Sequence, residues 1–484
     1  MAPSWFDRLL SSIADRGRAW VKIPTDLPPL GQARSLAQSL LSEKGEASGA
    51  ALARALIERY CALDAADRLA FLLFLSEGFA PDAEALREAA ERYLAAPSAE
   101  AATELAEAAE PPRQELLRRL NMGPSGTAIL VGMRSLLIGQ LKAHPSLAPL
   151  ESDLKHLLAS WFNRGFLELH RIDWNTPAAI LEKLIAYEAV HEIQGWEDLR
   201  RRVAPDRRCF AFFHPALVGE PLIFVEVALV NGLSRAVQPL LAAAPAEKPG
   251  VAPDTAIFYS ISNCQKGLRG VSFGNFLIKQ VVEELKQDVP SLVRFATLSP
   301  VPGFRAWLDR RLGESARYVL KPEERDAIAA LSGGGGAKGA LKRLLAEPGW
   351  PSDPAKAAAI KGPLMRLCAQ YLTENKDGKG PGDPVARFHL GNGASLEQIN
   401  FLANTAKRGL AESYGLMVNY LYDLDRIEAN HEAFVRQGQV AHSDAVAELL
   451  REEQRSPSRG VGTLLGFAGR RGGKVTALPS AAAR

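Results

Sequence analysis

The sequence predicts an α+β fold: an N-terminal all-helical bundle over residues 1–160, a mixed α/β domain over residues 161–456, and a tail over 457–484. Three observations carry this. Residues 30–160 are dominated by Ala, Leu, Glu and Arg, with apolar positions recurring at helical spacing. Near residue 160 aromatic and β-branched runs begin. Between residues 256 and 285 a strand, a glycine-rich turn and an amphipathic helix follow one another.

In the bundle, Leu52, Leu56 and Tyr60, then Leu69, Leu72 and Leu75, mark apolar faces. Pro81, Pro97 and Pro111-Pro112 punctuate the helices, and Asp82, Ser98 and Ser125 are expected caps. Such a bundle serves a plain structural role, docking, or self-association as a dimer or tetramer. A helix is expected from Pro177 to Ala189. Strands are expected over Cys209–Phe213 and Leu222–Leu229, joined by Gly219-Glu-Pro221 as a hairpin. Another runs from Ala256 to Ile261, and a further one over Val293–Leu298 stops at Ser299-Pro300. Residues 320–380 read as helical with glycine-rich insertions, Gly333–Gly336 and Lys376–Asp383. The first of these lacks the Gly-Lys-Ser/Thr of a nucleotide loop. Phe388–Ser395 reads as a glycine-flanked loop leading into a helix, because Ser395-x-x-Gln398 has capping-box spacing. Gly415–Tyr422 is expected as the last strand, and the tail after about 456 as disordered.

Composition narrows the function. The 484 residues suffice for roughly two to four domains. A net charge of +3 gives no nucleic-acid footprint, and 23% charged with 47% hydrophobic residues is an ordinary globular mix. No apolar run reaches the ~18 residues of a membrane span, and Trp5–Ile13 has the form of neither a secretory signal nor a transit peptide. Cys61, Cys209, Cys264 and Cys368 are scattered, which suits a reducing compartment, the cytoplasm by default. No H-x-H or HExxH spacing suggests a metal.

The candidate chemistry starts at Gly267, Gly270 and Gly274. A glycine turn feeding a helix N-terminus converges backbone N–H groups, and the helix dipole adds positive potential, so a phosphate or pyrophosphate fits there. Neither a dinucleotide fingerprint nor a P-loop is present. Arg269-Gly-Val-Ser-Phe-Gly274 resembles the pyrophosphate loop of the GNAT acyltransferases, with Ser272 where that pattern has Gly. On pattern alone the stretch is equally an ordinary turn. Pro300 keeps Ser299 out of the helical region, holding its hydroxyl at a strand's carboxyl end; the same hydroxyl could simply satisfy a nearby N–H. His389 stands before Gly391-Asn-Gly393 and is one of 8 histidines, so catalytic and structural roles are both open.

Six stretches in order, AIFYSIS, GLRGVSFGNFLIKQVVEEL, LSPVPGF, PLMRLCAQYL, FHLGNGA and GLMVNYLY, resemble malonyl-CoA decarboxylases over about residues 155–425. The resemblance implies a helical domain joined to a GNAT-like catalytic domain. It implies loss of CO2 from malonyl-CoA to leave acetyl-CoA, with no metal or organic cofactor. It implies Ser299 as catalytic serine, His389 as catalytic histidine, and Tyr422 beside them. It places the CoA loop on Arg269, Gly270, Val271, Ser272, Phe273, Gly274 and Asn275. Some members carry a glutamate where this chain has Ser272. In this reading Ser299 stabilises an enolate and His389, with an ordinary pKa near about 6.5, protonates it. The competing readings are a CoA-dependent N-acyltransferase and a non-catalytic acyl-CoA sensor; general acyltransferases lack the LSPVPGF and FHLGNGA pair.

Overall fold

The computed structural model describes residues 5–21, 24, 26–43, 45–242, 252–271, 277–333, 339–374 and 380–454. Ser272, Phe273, Gly274 and Asn275 of the glycine loop, residues 334–336 and 376–379 of the two glycine-rich insertions, and the tail lie outside the described residues.

The first part is helical. α1 is Trp5–Gly17, α2 Pro29–Ser42, α3 Glu46–Ala62, α4 Ala65–Gly78, α5 Ala83–Ala95, α6 Ala99–Ala109, α7 Pro112–Asn121, α8 Gly126–Gln140 and α9 Ala148–Trp161. Their apolar stripes close a core containing Leu36, Leu56, Phe71, Leu117, Met133 and Leu154. Asp82 and Ser98 cap α5 and α6 by accepting from first-turn N–H groups. Ser125 does not: it precedes α8 in the left-handed region with φ 58°, and its hydroxyl caps nothing. α5 and α6 pack chiefly on one another, and α6 buries no side chain.

The second part is built on a mixed sheet. The strands are β1 Glu168–Ile172, β2 Arg207–Phe213, β3 Ile223–Val230, β4 Thr255–Asn263, β5 Arg294–Thr297, β6 Ser299–Pro300, β7 Ser395–Asn400 and β8 Met417–Leu421. The order is β1-β2-β3-β4-β5-β8-β6, with β7 also on β8. All neighbours are antiparallel except β4 and β5, which are parallel. Expected strands and hairpin are present. β1 escaped the sequence reading because it is an edge strand with most side chains in water, so it carries no apolar alternation.

Helices fill the connections: α10 Ala178–Tyr187, α11 Trp196–Arg202, α12 Gln238–Leu241, α13 Leu277–Asp288, α14 Phe304–Val319, α15 Pro322–Leu331, α16 Ala340–Ala346, α17 Pro354–Thr373, α18 Pro384–Gly391, α19 Lys407–Ser413, α20 Ile427–Gln437 and α21 Asp444–Gln454. α13 buries Leu277, Ile278, Val281, Val282 and Leu285, the stripe its sequence shows. These join Phe258, Leu364, Leu367 and Tyr420 in the main core, which also takes in Val131 of α8 and Leu158 of α9. The bundle is thus packed into the sheet domain.

Two expectations are corrected. Ser395–Asn400 is a strand, not a helix: pairing with β8 buries Leu396 and Ile399, and that ladder outweighs the local capping-box spacing. His389 sits in the last turn of α18, not in a flexible loop. Gly393 is required because a Cβ there would lie 2.2 Å from the Ile427 carbonyl oxygen. That glycine answers a close approach of backbone, not mobility.

The register locates the site. β4 and β5 pair from Thr255↔Arg294 to Phe258↔Thr297. β4 then runs on to Asn263, while the other strand turns to β8 with Ser299 opposite Val418. The two parallel strands part just before Ser299, at the same end from which the glycine loop departs.

Candidate active site

Ser299 is buried in the short β6. Its Oγ donates to Thr297 Oγ1 at 2.9 Å and lies 3.0 Å from His389 Nε2. Thr297 Oγ1 also accepts the Tyr420 N–H at 3.1 Å. Alternate residues of a strand share a face, so Thr297 and Ser299 point the same way, as do Tyr420 and Tyr422.

His389 is 3% exposed. Nδ1 lies 2.8 Å from the Tyr422 hydroxyl, and the ring stacks on Tyr420 with centroids 4.8 Å apart at 25°. Burial alone pushes its imidazole down to about 3 from an ordinary 6.5. No carboxylate offsets this desolvation, so the ring is neutral at physiological pH. Burial likewise raises the Tyr422 phenol well above its usual range, so that hydroxyl keeps its proton. One assignment gives each of these donors an acceptor: Tyr422 O–H to Nδ1, Nε2–H to Ser299 Oγ, and Ser299 O–H to Thr297. Ser299, His389 and Tyr422, distant in sequence, are therefore brought together.

Asp383 ties the halves of the site. Fully buried, it caps α18 by accepting from Val385 N and Ala386 N, each at 3.0 Å. Its Oδ2 accepts from Gly303 N at 3.3 Å, in the turn after Ser299, and from Tyr371 Oη at 3.2 Å. Burial raises its pKa against those hydrogen bonds. Thr297, Tyr420 and Asp383 were missed from sequence. The signals were there: Thr297-x-Ser299 and Tyr420-x-Tyr422 at strand spacing, and Asp383-Pro384 as a cap with proline at the first helical position.

Of the expected CoA loop, Arg269, Gly270 and Val271 are described; they follow a short 3-10 turn, Lys266–Leu268, and lead toward α13. Among the described residues no group of three or more His, Cys, Asp or Glu is placed to hold a metal ion. No helix among them is long and apolar enough to cross a membrane.

Comparison with known proteins bears on this arrangement. A family model described as "Malonyl-CoA decarboxylase C-terminal domain" matches residues 165–459, and "Malonyl-CoA decarboxylase N-terminal domain" matches residues 79–162. The mitochondrial malonyl-CoA decarboxylase of Anser anser anser is 38% identical over 361 residues, covering 72% of this chain and 71% of its own. That of Rattus norvegicus is 36% identical over 412 residues, covering 81% and 83%. The crystal structure of malonyl-CoA decarboxylase from Rhodopseudomonas palustris superposes with a TM-score of 0.78 at 50% identity, covering 87% of this chain and 99% of that one. The structure from Cupriavidus metallidurans gives 0.69 at 38% identity, covering 87% and 99%. With both domain models in sequence order and relatives matched over most of its length, the chain belongs to the malonyl-CoA decarboxylase family of carboxy-lyases.

Proposed function

We propose that this chain decarboxylates malonyl-CoA to acetyl-CoA and CO2, with the malonyl thioester in the cleft where β4 and β5 part. The observation that carries the reading is the neutral His389 held between Ser299 and Tyr422. The bond from C2 to the carboxylate breaks, and its electron pair passes into a thioester enolate. Ser299 swings its hydroxyl proton from Thr297 to the enolate oxygen, where a preorganised donor has most effect. C2 then takes a proton from Nε2 of His389. A neutral ring is sufficient, because the carbon of a thioester enolate is a stronger base than imidazolate. The use of a neutral imidazole in an active site has precedent among enzymes. Tyr422, donating to Nδ1, keeps the proton on Nε2 and supports the ring as it loses it.

The rest of the reading follows. Arg269 to Asn275 take the CoA pyrophosphate, residues 161–456 form the catalytic domain, and residues 1–160 carry self-association. The four free cysteines suit a reducing compartment such as the cytoplasm. An N-acyltransferase would need a base facing an amine, whereas Nε2 of His389, in the assignment above, carries a proton and donates it. The deciding experiment is incubation of purified protein with malonyl-CoA. Stoichiometric CO2 and acetyl-CoA are expected; malonyl transfer to an amine without CO2 release would overturn the reading.

A further inference from the structure

Arg134 of α8 lies in the helical bundle yet spends its guanidinium on the glycine loop. It is 2% exposed. Nη1 donates to the Gly267 carbonyl at 2.6 Å, and Nη2 to the Arg269 carbonyl at 2.9 Å. Glu151 of α9 neutralises it, accepting from Nη2 at 2.6 Å and Nε at 3.2 Å. The loop is pressed against the same helix: a Cβ on Gly267 would lie 1.9 Å from the Val131 carbonyl oxygen. On the neighbouring helix α9, Lys155 brings its Nζ to 3.7 Å from where a Cβ on Gly270 would stand. Lys155 is exposed and makes no ion pair among the described residues, since Glu151, one turn earlier, is taken by Arg134.

We infer that the helical bundle completes the phosphate site, with Arg134 as the residue that positions the backbone from Gly267 to Gly270 and Lys155 as a cation for the CoA phosphates. This rests on reading Arg269–Asn275 as the loop that takes the pyrophosphate. The physical reason is the direction of peptide dipoles. A planar trans peptide points its C=O and N–H in opposite directions. Holding the Arg269 carbonyl toward α8 therefore turns the Gly270 N–H away from it, and no backbone acceptor takes that N–H among the described residues. A carbonyl turned to the ligand would repel an anion; Arg134 collects the carbonyls on the bundle side. A planar fork suits this task, because it reaches two carbonyls and a carboxylate at once, which an ammonium on a flexible stem does not. Glu151 cancels the charge of Arg134, so Lys155 adds to Arg269 the net positive charge that faces the phosphates.

A mere structural tie between the bundle and the sheet makes a different prediction from a phosphate site. The test uses the full-length protein and two substrates, malonyl-CoA and malonyl-pantetheine, which carries the same thioester without the nucleotide or pyrophosphate. Lys155→Ala is the first variant, since an exposed side chain puts folding at no risk. It should raise KM for malonyl-CoA about tenfold, the order of one charge-assisted hydrogen bond, with kcat unchanged. The effect should shrink at high salt, be restored by Lys155→Arg, and be absent with malonyl-pantetheine. Arg134→Lys should show the same split, weakening use of malonyl-CoA alone. Equal losses on both substrates, or an unchanged KM in Lys155→Ala, would overturn the inference while leaving the loop assignment standing. A wild-type protein that used both substrates with the same KM would instead overturn the loop assignment itself.

Discussion

Ser299 Oγ and His389 Nε2 meet at 3.0 Å across 90 residues of sequence, with Tyr422 completing the row from the far side of the ring. Ser299→Ala removes the donor to the enolate oxygen, for which a loss of about 100- to 1,000-fold in kcat is expected. His389→Asn removes the proton donor, at about 100- to 10,000-fold. Because both act on one transition state, the double variant should be less impaired than the product of the single effects. Steady-state rates of acetyl-CoA formation, with CoA affinity measured in parallel, decide it. Affinity falling in step with rate would mean that the pair only shapes the pocket.

The neutral state of His389 has a pH signature. Its value in the folded protein, about 3, lies below the ordinary 6.5. Between those values the unfolded chain binds a proton that the folded one refuses, so acid favours unfolding. Its contribution is therefore fully present above pH 6.5 and is lost as pH falls toward 3. Melting temperatures from pH 7 down to 4 should fall more steeply for the wild type than for His389→Asn. Ring nitrogen shifts by NMR should show the Nε2–H neutral form down to pH 5. An imidazolium signal near neutrality would contradict this assignment.

Tyr422→Phe tests what fixes the tautomer. Losing the hydroxyl leaves Nδ1 without its partner, a cost of about 1–3 kcal/mol for a buried group. Were that cost to fall on the transition state, kcat would drop by roughly 5- to 150-fold. CoA binding should be unchanged by calorimetry. Full turnover in this variant would show that the ring holds its proton without Tyr422.

Asp383 joins the helix of His389 to the turn after Ser299, so Asp383→Ala should strike both stability and rate. The lost cap costs about 1 kcal/mol; leaving Gly303 N–H and Tyr371 O–H unpartnered adds about 1–3 kcal/mol more. Chemical denaturation should register the sum, and kcat should fall while KM holds. Asp383→Asn keeps one acceptor and should recover part of both. A stable, fully active Asp383→Ala would remove the carboxylate from the design of the site.

The α5–α6 hairpin rests mainly on itself, and Leu94 on it is 78% exposed. The self-association proposed for residues 1–160 would bury this side chain if it used this hairpin. Leu94→Glu should therefore lower the mass in solution by light scattering, with α5 still formed by circular dichroism. A wild type that is monomeric at micromolar concentration would dismiss the role in self-association.

What the sequence determined by itself was the fold class and most of its elements. Helical and strand periods are local, and they placed the bundle, β2 to β5, α13 and the last strand. The serine at a strand end and the histidine motif were also readable, though not their protonation. Tertiary structure decided the rest. Ser395–Asn400 became a strand because β8 lay beside it, whatever its capping-box spacing favoured. His389 became neutral because Tyr420, Tyr422 and Ser299 enclose it, and desolvation is a property of neighbours, not of a residue. Arg134 found the carbonyls of Gly267 and Arg269 over 133 and 135 residues. Spacing along a chain encodes which face a residue presents; only the packed fold sets what that face meets, and pairing and proton affinity depend on that encounter.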